Sequence, residues 1–169
     1  MSEIDNITWQ MKNFNKGPLM KKYLICLITF FLVSCASCPR PETAVLRNQL
    51  KEHTLIVYKD GKTTFYDERG LQPLLIRLND GTFKNAFVAD RIVGKASALL
   101  HVYGGVKEVY TPVIAKQAAA IYEKHGIKYS ADKIVENIRN RTNTGLCPME
   151  MKVQNIDDPA EAYRIFSRQ

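Results

Sequence analysis

Apolar positions along the chain change rhythm several times, and each change marks an element. From Thr43 to Lys51, Leu46 and Leu50 lie one turn apart and predict a short helix. Thr54 to Tyr58 and Thr63 to Tyr66 are β-branched and aromatic runs. Asp60-Gly61 stands between them, the dipeptide of a two-residue hairpin. Leu71, Leu74, Leu75 and Leu78 then recur at i, i+3, i+4 and i+7, one face of a helix with Pro73 tolerated in its first turn. Ala86 to Ala89 reads as a buried strand. A helix from about Gly94 to Tyr103 stops at Gly104-Gly105. Val106 to Tyr110 is the next strand. Pro112 is expected to open a helix through Ile114, Ala118, Ile121 and Tyr122, ended by His125-Gly126. Ile127 to Tyr129 reads as a short strand, and Ser130 as the cap of a helix that turns Ile134, Val135 and Ile138 inward. After a polar loop from Thr142 to Gly145 comes Cys147-Pro148-Met149-Glu150. Asp158-Pro159-Ala160-Glu161 has an N-cap, proline at N1 and glutamate at N3, and opens a last helix to Phe166.

Strands that alternate with helices imply one α/β domain, residues 44–169, with helices on both faces of a sheet. The hairpin at the start makes that sheet mixed rather than purely parallel. Upstream the pattern differs. Met20-Lys21-Lys22 precedes an apolar run from Tyr23 to Val33, then Ser34-Cys35. A basic start, an apolar stretch and a small-residue junction are the order of a secretory signal. The run is too short to cross easily about 30 Å of hydrocarbon as a helix. Leu32-Val33-Ser34-Cys35 also resembles a bacterial lipobox, in which Cys35 is lipidated and anchors the protein to the cell envelope. The alternative is a short hydrophobic anchor or a fortuitous extension on a cytoplasmic protein, and translation from Met20 would account for residues 1–19. Residues 1–35 are thus expected to be an extension and signal, and residues 36–43, with Pro39 and Pro41, a linker.

Composition adds constraints. The net charge is +7, but the basic residues are mixed with Asp and Glu, and no basic stretch is interleaved with aromatics. A nucleic-acid partner is not expected; a solvated basic surface is. Cys26, Cys35 and Cys38 fall in the extension, which leaves Cys147 alone in the domain, so no internal disulfide supports the fold.

The order helix, hairpin, helix-bearing loop, strand, helix, strand, helix resembles the three-layer cytidine deaminase-like fold. Val109-Tyr110-Thr111-Pro112 through Ala118-Ala119-Ala120-Ile121 to Gly126-Ile127 looks like the deaminase strand–proline–helix–strand unit. From about Leu50 to Phe166 the chain more closely resembles the family called domain of unknown function 1893, through Asp90 with Gly94-Lys95-Ala96, Asn140-Arg141 and Cys147-Pro148-Met149-Glu150. Zinc deaminases carry His-x-Glu at one helix start and Pro-Cys-x-x-Cys at the next. Here Val93 and Lys95 stand at the first pair of positions, and Val113 and Lys116 at the cysteines. Aliphatic and protonated amine side chains do not bind zinc. A slip of register does not help, since no Cys or His lies between Phe83 and Leu100. His53, His101 and His125 have no mutual ligand spacing and read as structural. No metal, no other cofactor and no deaminase activity are expected.

What chemistry is left should sit where helix starts meet the sheet's carboxyl edge. Gly94-Lys95 offers backbone donors and a cation to an anion, or is simply a helix start with a surface lysine. It is not a nucleotide-binding Walker loop, because the earlier glycine position is Ala89. Lys116 adds a second cation. Arg141 is placed to clamp a phosphate or carboxylate, or to satisfy the last carbonyls of a helix beside Asn140. Cys147, before Pro148 at a helix start, is either a nucleophile or a small buried apolar residue, and Glu150 nearby opposes its ionisation. Asp90 either pairs with Lys95, caps a helix or moves protons. Three functions compete: a zinc-free deaminase-fold domain holding a small anionic or nucleotide-like ligand at Gly94, Lys95, Lys116, Asn140 and Arg141; a metal-free enzyme with Cys147 as nucleophile or Lys95 as amine, and Asp90 or Glu150 moving protons; and a non-catalytic envelope lipoprotein acting through protein contacts. The oligomeric state is not legible.

Overall fold

A computed structural model describes residues 43–168, and the signal, lipidation at Cys35 and most of the linker expected upstream lie outside the described residues. Helix α1 (Thr43–Gln49) leads to a hairpin of β1 (Leu55–Lys59) and β2 (Lys62–Tyr66). There follow α2 (Gln72–Arg77), β3 (Phe87–Asp90), α3 (Lys95–Tyr103), β4 (Glu108–Ala115), α4 (Lys116–His125) and β5 (Lys128–Val135). Two helices end the chain, α5 (Pro148–Lys152) and α6 (Pro159–Ser167). The five strands form one mixed sheet in the order β2-β1-β3-β4-β5. β1 runs antiparallel to β2 and β3, whereas β3, β4 and β5 are parallel.

Asp60 and Gly61 both have left-handed backbones, φ 51° and 77°, which is what a tight turn matched to strand twist requires. Strand alternation then divides the core between the two faces. Leu55, Val57, Val88 and Val109 point to the face covered by α2, α3, α4 and α6. Ile56, Phe87, Ala89 and Tyr110 point to the other, where Leu46 of α1 and Leu50 just after it cover them. Helices therefore lie on both faces, but unequally. Arg47 fastens α1 to the sheet through paired bonds of 2.8 and 2.7 Å to Asp132 of β5, whose carboxylate also accepts from Tyr110 Oη at 3.0 Å. The last helix starts as its sequence predicts, with Asp158 Oδ1 accepting from Ala160 N at 3.0 Å.

Two expectations fail. Pro112 does not open a helix: it lies inside β4, and α4 begins only at Lys116. The sheet tolerates the missing N–H because β3 pairs no further than Ala89↔Tyr110 and the β5 ladder skips Pro112. Thr111 Oγ1 bridges the interruption, donating to Val113 O at 2.9 Å and accepting from Val113 N at 3.3 Å. Ile114, which seemed one turn before Ala118, is a buried strand residue whose spacing mimics a helix. Nor does Ser130 cap a helix. β5 continues to Val135, pairing Ser130 with Tyr110 and Ile134 with Ile114. The ladder offered by the extended β4 outweighs a weak helical pattern, and Ile134 is left 56 % exposed at the sheet's edge.

Candidate functional site

Four segments meet at the carboxyl edge of the parallel strands. β1 begins there, β3 ends there, and the chain leaving β2 and the loop after β5 arrive there. Together they line a cleft of about 400 Å³ with Thr54, Arg69, Gly70, Asp90, Arg91, Ile92 and Arg141. Arg91 is held rigidly: its guanidinium donates to Leu50 O at 2.8 Å and His53 O at 2.6 Å, which ties the end of α1 to the cleft. Arg69 and Arg141 are exposed, and their guanidinium groups make no hydrogen bond or ion pair among the described residues. Guanidinium groups converging on one concavity match the geometry of phosphate or carboxylate.

Asp90 forms part of the cleft wall, with its side chain 13 % exposed. Burial pushes its carboxyl up to about 7, against hydrogen bonds from Ile92 N and Ser97 and the pull of Arg91. Behind it lies a buried chain of polar groups. His101 Nε2 stands 3.7 Å from Asp90 Oδ2, and His101 Nδ1 is 2.5 Å from Tyr122 Oη. His101 and Tyr122 are both fully buried. Burial lowers the imidazole to about 3, so it is neutral at physiological pH, and burial with the Asp90 charge raises Tyr122. Nε2 has no hydrogen-bond partner among the described residues.

The start of α3 is a separate place. Glu150 of α5 reaches it, accepting from Lys95 N at 2.7 Å and Ala96 N at 3.1 Å. The donors that an anion was expected to find are thus satisfied by the protein's own carboxylate. Gly94 makes room for that carboxylate, since a Cβ there would lie 2.5 Å from Glu150 Cδ. Lys95 is only 7 % exposed and turns to the end of α5 and beyond, donating to Gln154 O at 3.0 Å and pairing with Asp157 at 2.9 Å. It lines a second hollow of about 250 Å³ with Gln117, Ile121, Lys124, His125 and Asp157, and its ammonium pairs there rather than with Asp90.

The remaining expected residues disperse. Lys116 pairs with Glu136 on the exposed surface. Asn140 organises its loop, its Oδ1 accepting from Thr144 N at 2.9 Å and its Nδ2 donating to Thr144 Oγ1 at 3.0 Å. Cys147 is half-buried at the N-cap of α5, with its backbone bonded to Ile138 O and Met151 N. Among the described residues no three His, Cys, Asp or Glu side chains gather as a metal site would need. Of the expected set, only Asp90 and Arg141 share the cleft. Sequence reasoning missed Arg69, Arg91 and the His101–Tyr122 pair. Arg69-Gly70 after a strand and Arg91 directly after Asp90 were the local signals, but only the fold brings them to Arg141.

A family model described as Domain of unknown function (DUF1893) matches residues 45–169. Among solved structures, the chain is similar to a DUF1893 family protein from Thermotoga maritima, with 26 % identity and a TM-score of 0.65. That likeness covers 76 % of this chain and 92 % of the other. No curated protein matches.

Proposed function

The chain belongs to the DUF1893 family, and we propose that it binds a small anionic, nucleotide-like ligand in the arginine cleft at the carboxyl edge of its sheet. The observation that carries this reading is the convergence of Arg69, Arg91 and Arg141 around Asp90 in one concavity of about 400 Å³. Two of those guanidiniums have no protein partner among the described residues. A ligand anion gives them one, and its remaining atoms meet Thr54, Gly70 and Ile92. The ligand site proposed from sequence at Gly94 and Lys95 moves accordingly, because Glu150 already occupies that helix start.

The scaffold we infer is cytidine deaminase-like. Its support is the element order, one helix, a hairpin and then parallel strands joined by helices. In this reading arginines supply the positive charge that zinc gives a deaminase. A metal-free enzyme remains the second reading, favoured by one observation: the Asp90 carboxyl, raised to about 7 beside the cleft, suits proton transfer. Lys95 is a poorer amine catalyst, since Asp157 and Gln154 engage its ammonium. We place the protein at the envelope through lipidation of Cys35, on the strength of Leu32-Val33-Ser34-Cys35; mass spectrometry of the mature N-terminus tests it.

Calorimetric titration with nucleotides and phosphorylated metabolites tests the cleft. Binding is expected, with affinity reduced about tenfold in Arg69→Ala and in Arg141→Ala while both variants keep wild-type stability. Ligands that bind the two variants as tightly as wild type place the site elsewhere and defeat the reading.

A further inference from the structure

The cleft sets guanidinium groups and a carboxyl group side by side, so an anion that enters meets both. If Asp90 is ionised, it repels the ligand that the arginines attract. The groups behind Asp90 provide a way out. His101 Nε2 is fully buried, lacks a hydrogen-bond partner among the described residues, and points at Asp90 Oδ2 from 3.7 Å. A buried ring nitrogen without a partner is costly in either tautomer. Asp90 is the group placed to partner it, as a carboxylate that accepts from Nε2–H or as a carboxylic acid that donates to bare Nε2.

We infer that the cleft takes up a dianionic, phosphate- or sulfate-bearing ligand together with one proton, which is held between the Asp90 carboxyl and His101 Nε2. This rests on the arginine cleft being the ligand site. The proton comes from solvent and returns there when the ligand leaves. Without ligand and above neutrality, Asp90 is a carboxylate, His101 carries its hydrogen on Nε2 toward it, and Tyr122 donates to Nδ1. With ligand bound, Asp90 is a carboxylic acid that donates to Nε2. The imidazole hydrogen then sits on Nδ1 and is donated to Tyr122 Oη, 2.5 Å away. His101 stays neutral in both states and changes tautomer, which makes it a positioning residue for the Asp90 proton. A carboxyl already raised to about 7 by burial is one that a nearby anion can protonate near neutral pH.

The charged groups around Asp90 are Arg91 beside it on the chain, Arg69 from the segment after β2 and Arg141 from the loop after β5. Ser97 and His101 face it from α3, with Tyr122 of α4 behind them. Just before β1, His53 is paired with Asp67 at 2.7 Å. The arginines stay charged throughout, so a pH response that disappears in Asp90→Asn belongs to Asp90 and not to His53.

Inorganic sulfate is the probe, because it remains a dianion across the range. Its binding to the full chain is measured at constant ionic strength from about pH 6 to about pH 8.5, with ¹⁵N spectra of the histidine side chains recorded alongside. Affinity is expected to fall roughly tenfold over that range in the wild type and to stay flat in Asp90→Asn. At pH 8, saturating sulfate should convert His101 from the Nε2–H to the Nδ1–H tautomer, a signal read in the wild type whether or not the variant folds. Sulfate binding that is independent of pH, with an unchanged His101, overturns the proton uptake and leaves the arginine cleft intact. If neither sulfate nor any nucleotide binds at any pH, the cleft reading falls and this inference with it.

Discussion

Replacing Gly94 by alanine isolates the contact that closes the expected anion site. Gly94 has φ −101° and ψ −175°, extended backbone that any residue adopts, so alanine adds no backbone strain. Its new methyl group would instead lie 2.5 Å from Glu150 Cδ and 2.7 Å from Oε2, and closer still to Oε1. The carboxylate must move, and with it go the bonds to Lys95 N and Ala96 N. Hydrogen bonds to a charged acceptor contribute about 1.5–3 kcal/mol when well formed. Glu150 is only half-buried and water can replace it, so we expect a loss of about 2 kcal/mol for Gly94→Ala and about the same for Glu150→Ala. Both variants lose one interaction, so the costs should not add. In the Glu150→Ala background the clash is gone, and Gly94→Ala should cost only about 0.5–1 kcal/mol, the ordinary preference for glycine over alanine at an N-cap. Urea unfolding of the four proteins gives the coupling energy, expected above about 1 kcal/mol in magnitude. Single-variant costs that sum to the double-variant cost within about 0.5 kcal/mol would refute the cap.

Further expectations concern Lys95, Asp90 and Cys147. Lys95→Met exchanges an ammonium bonded to Gln154 O and Asp157 for an apolar chain of similar length in a site 7 % exposed. Both partners are exposed and rehydrate, so stability should change by less than about 1 kcal/mol and calorimetry should find anion binding unaltered. The pH dependence of stability should separate Asp90 from His101. Asp90 is raised when folded, so between its unfolded value and about 7 the native state holds more protons and stability falls as pH rises. His101 is lowered to about 3, so between about 3 and its unfolded value near 6.5 the unfolded state holds more protons and stability rises with pH. The two slopes oppose each other from about pH 4 to 6.5 and nearly cancel. Asp90→Asn should unmask the histidine slope, up to about 1.4 kcal/mol per pH unit, in thermal unfolding followed by circular dichroism; a variant profile as flat as wild type contradicts the burial of His101. Cys147→Ser should leave anion binding unchanged, since Cys147 is not in the arginine cleft; a loss of binding measured by the same titration argues for a site at α5.

The sequence by itself determined what depends on neighbours along the chain. Asp60-Gly61 dictates the hairpin because both residues accept positive φ. Gly104-Gly105 and Gly126 stop their helices, Asp158 caps the last one, and the period-two apolar runs assign residues to the two faces of the sheet. Tertiary structure decided what depends on partners distant in sequence. Pro112 and Ser130 are extended because β4 and β5 find each other, and a strand's preference lies in its neighbours more than in its residues. Glu150 fills the start of α3 from 55 positions away. Arg69, Arg91 and Arg141 look like ordinary surface cations until the carboxyl edge of the sheet gathers them around Asp90. Charge convergence is a property of space and not of spacing, which is why the local chemistry was legible and the cleft was not.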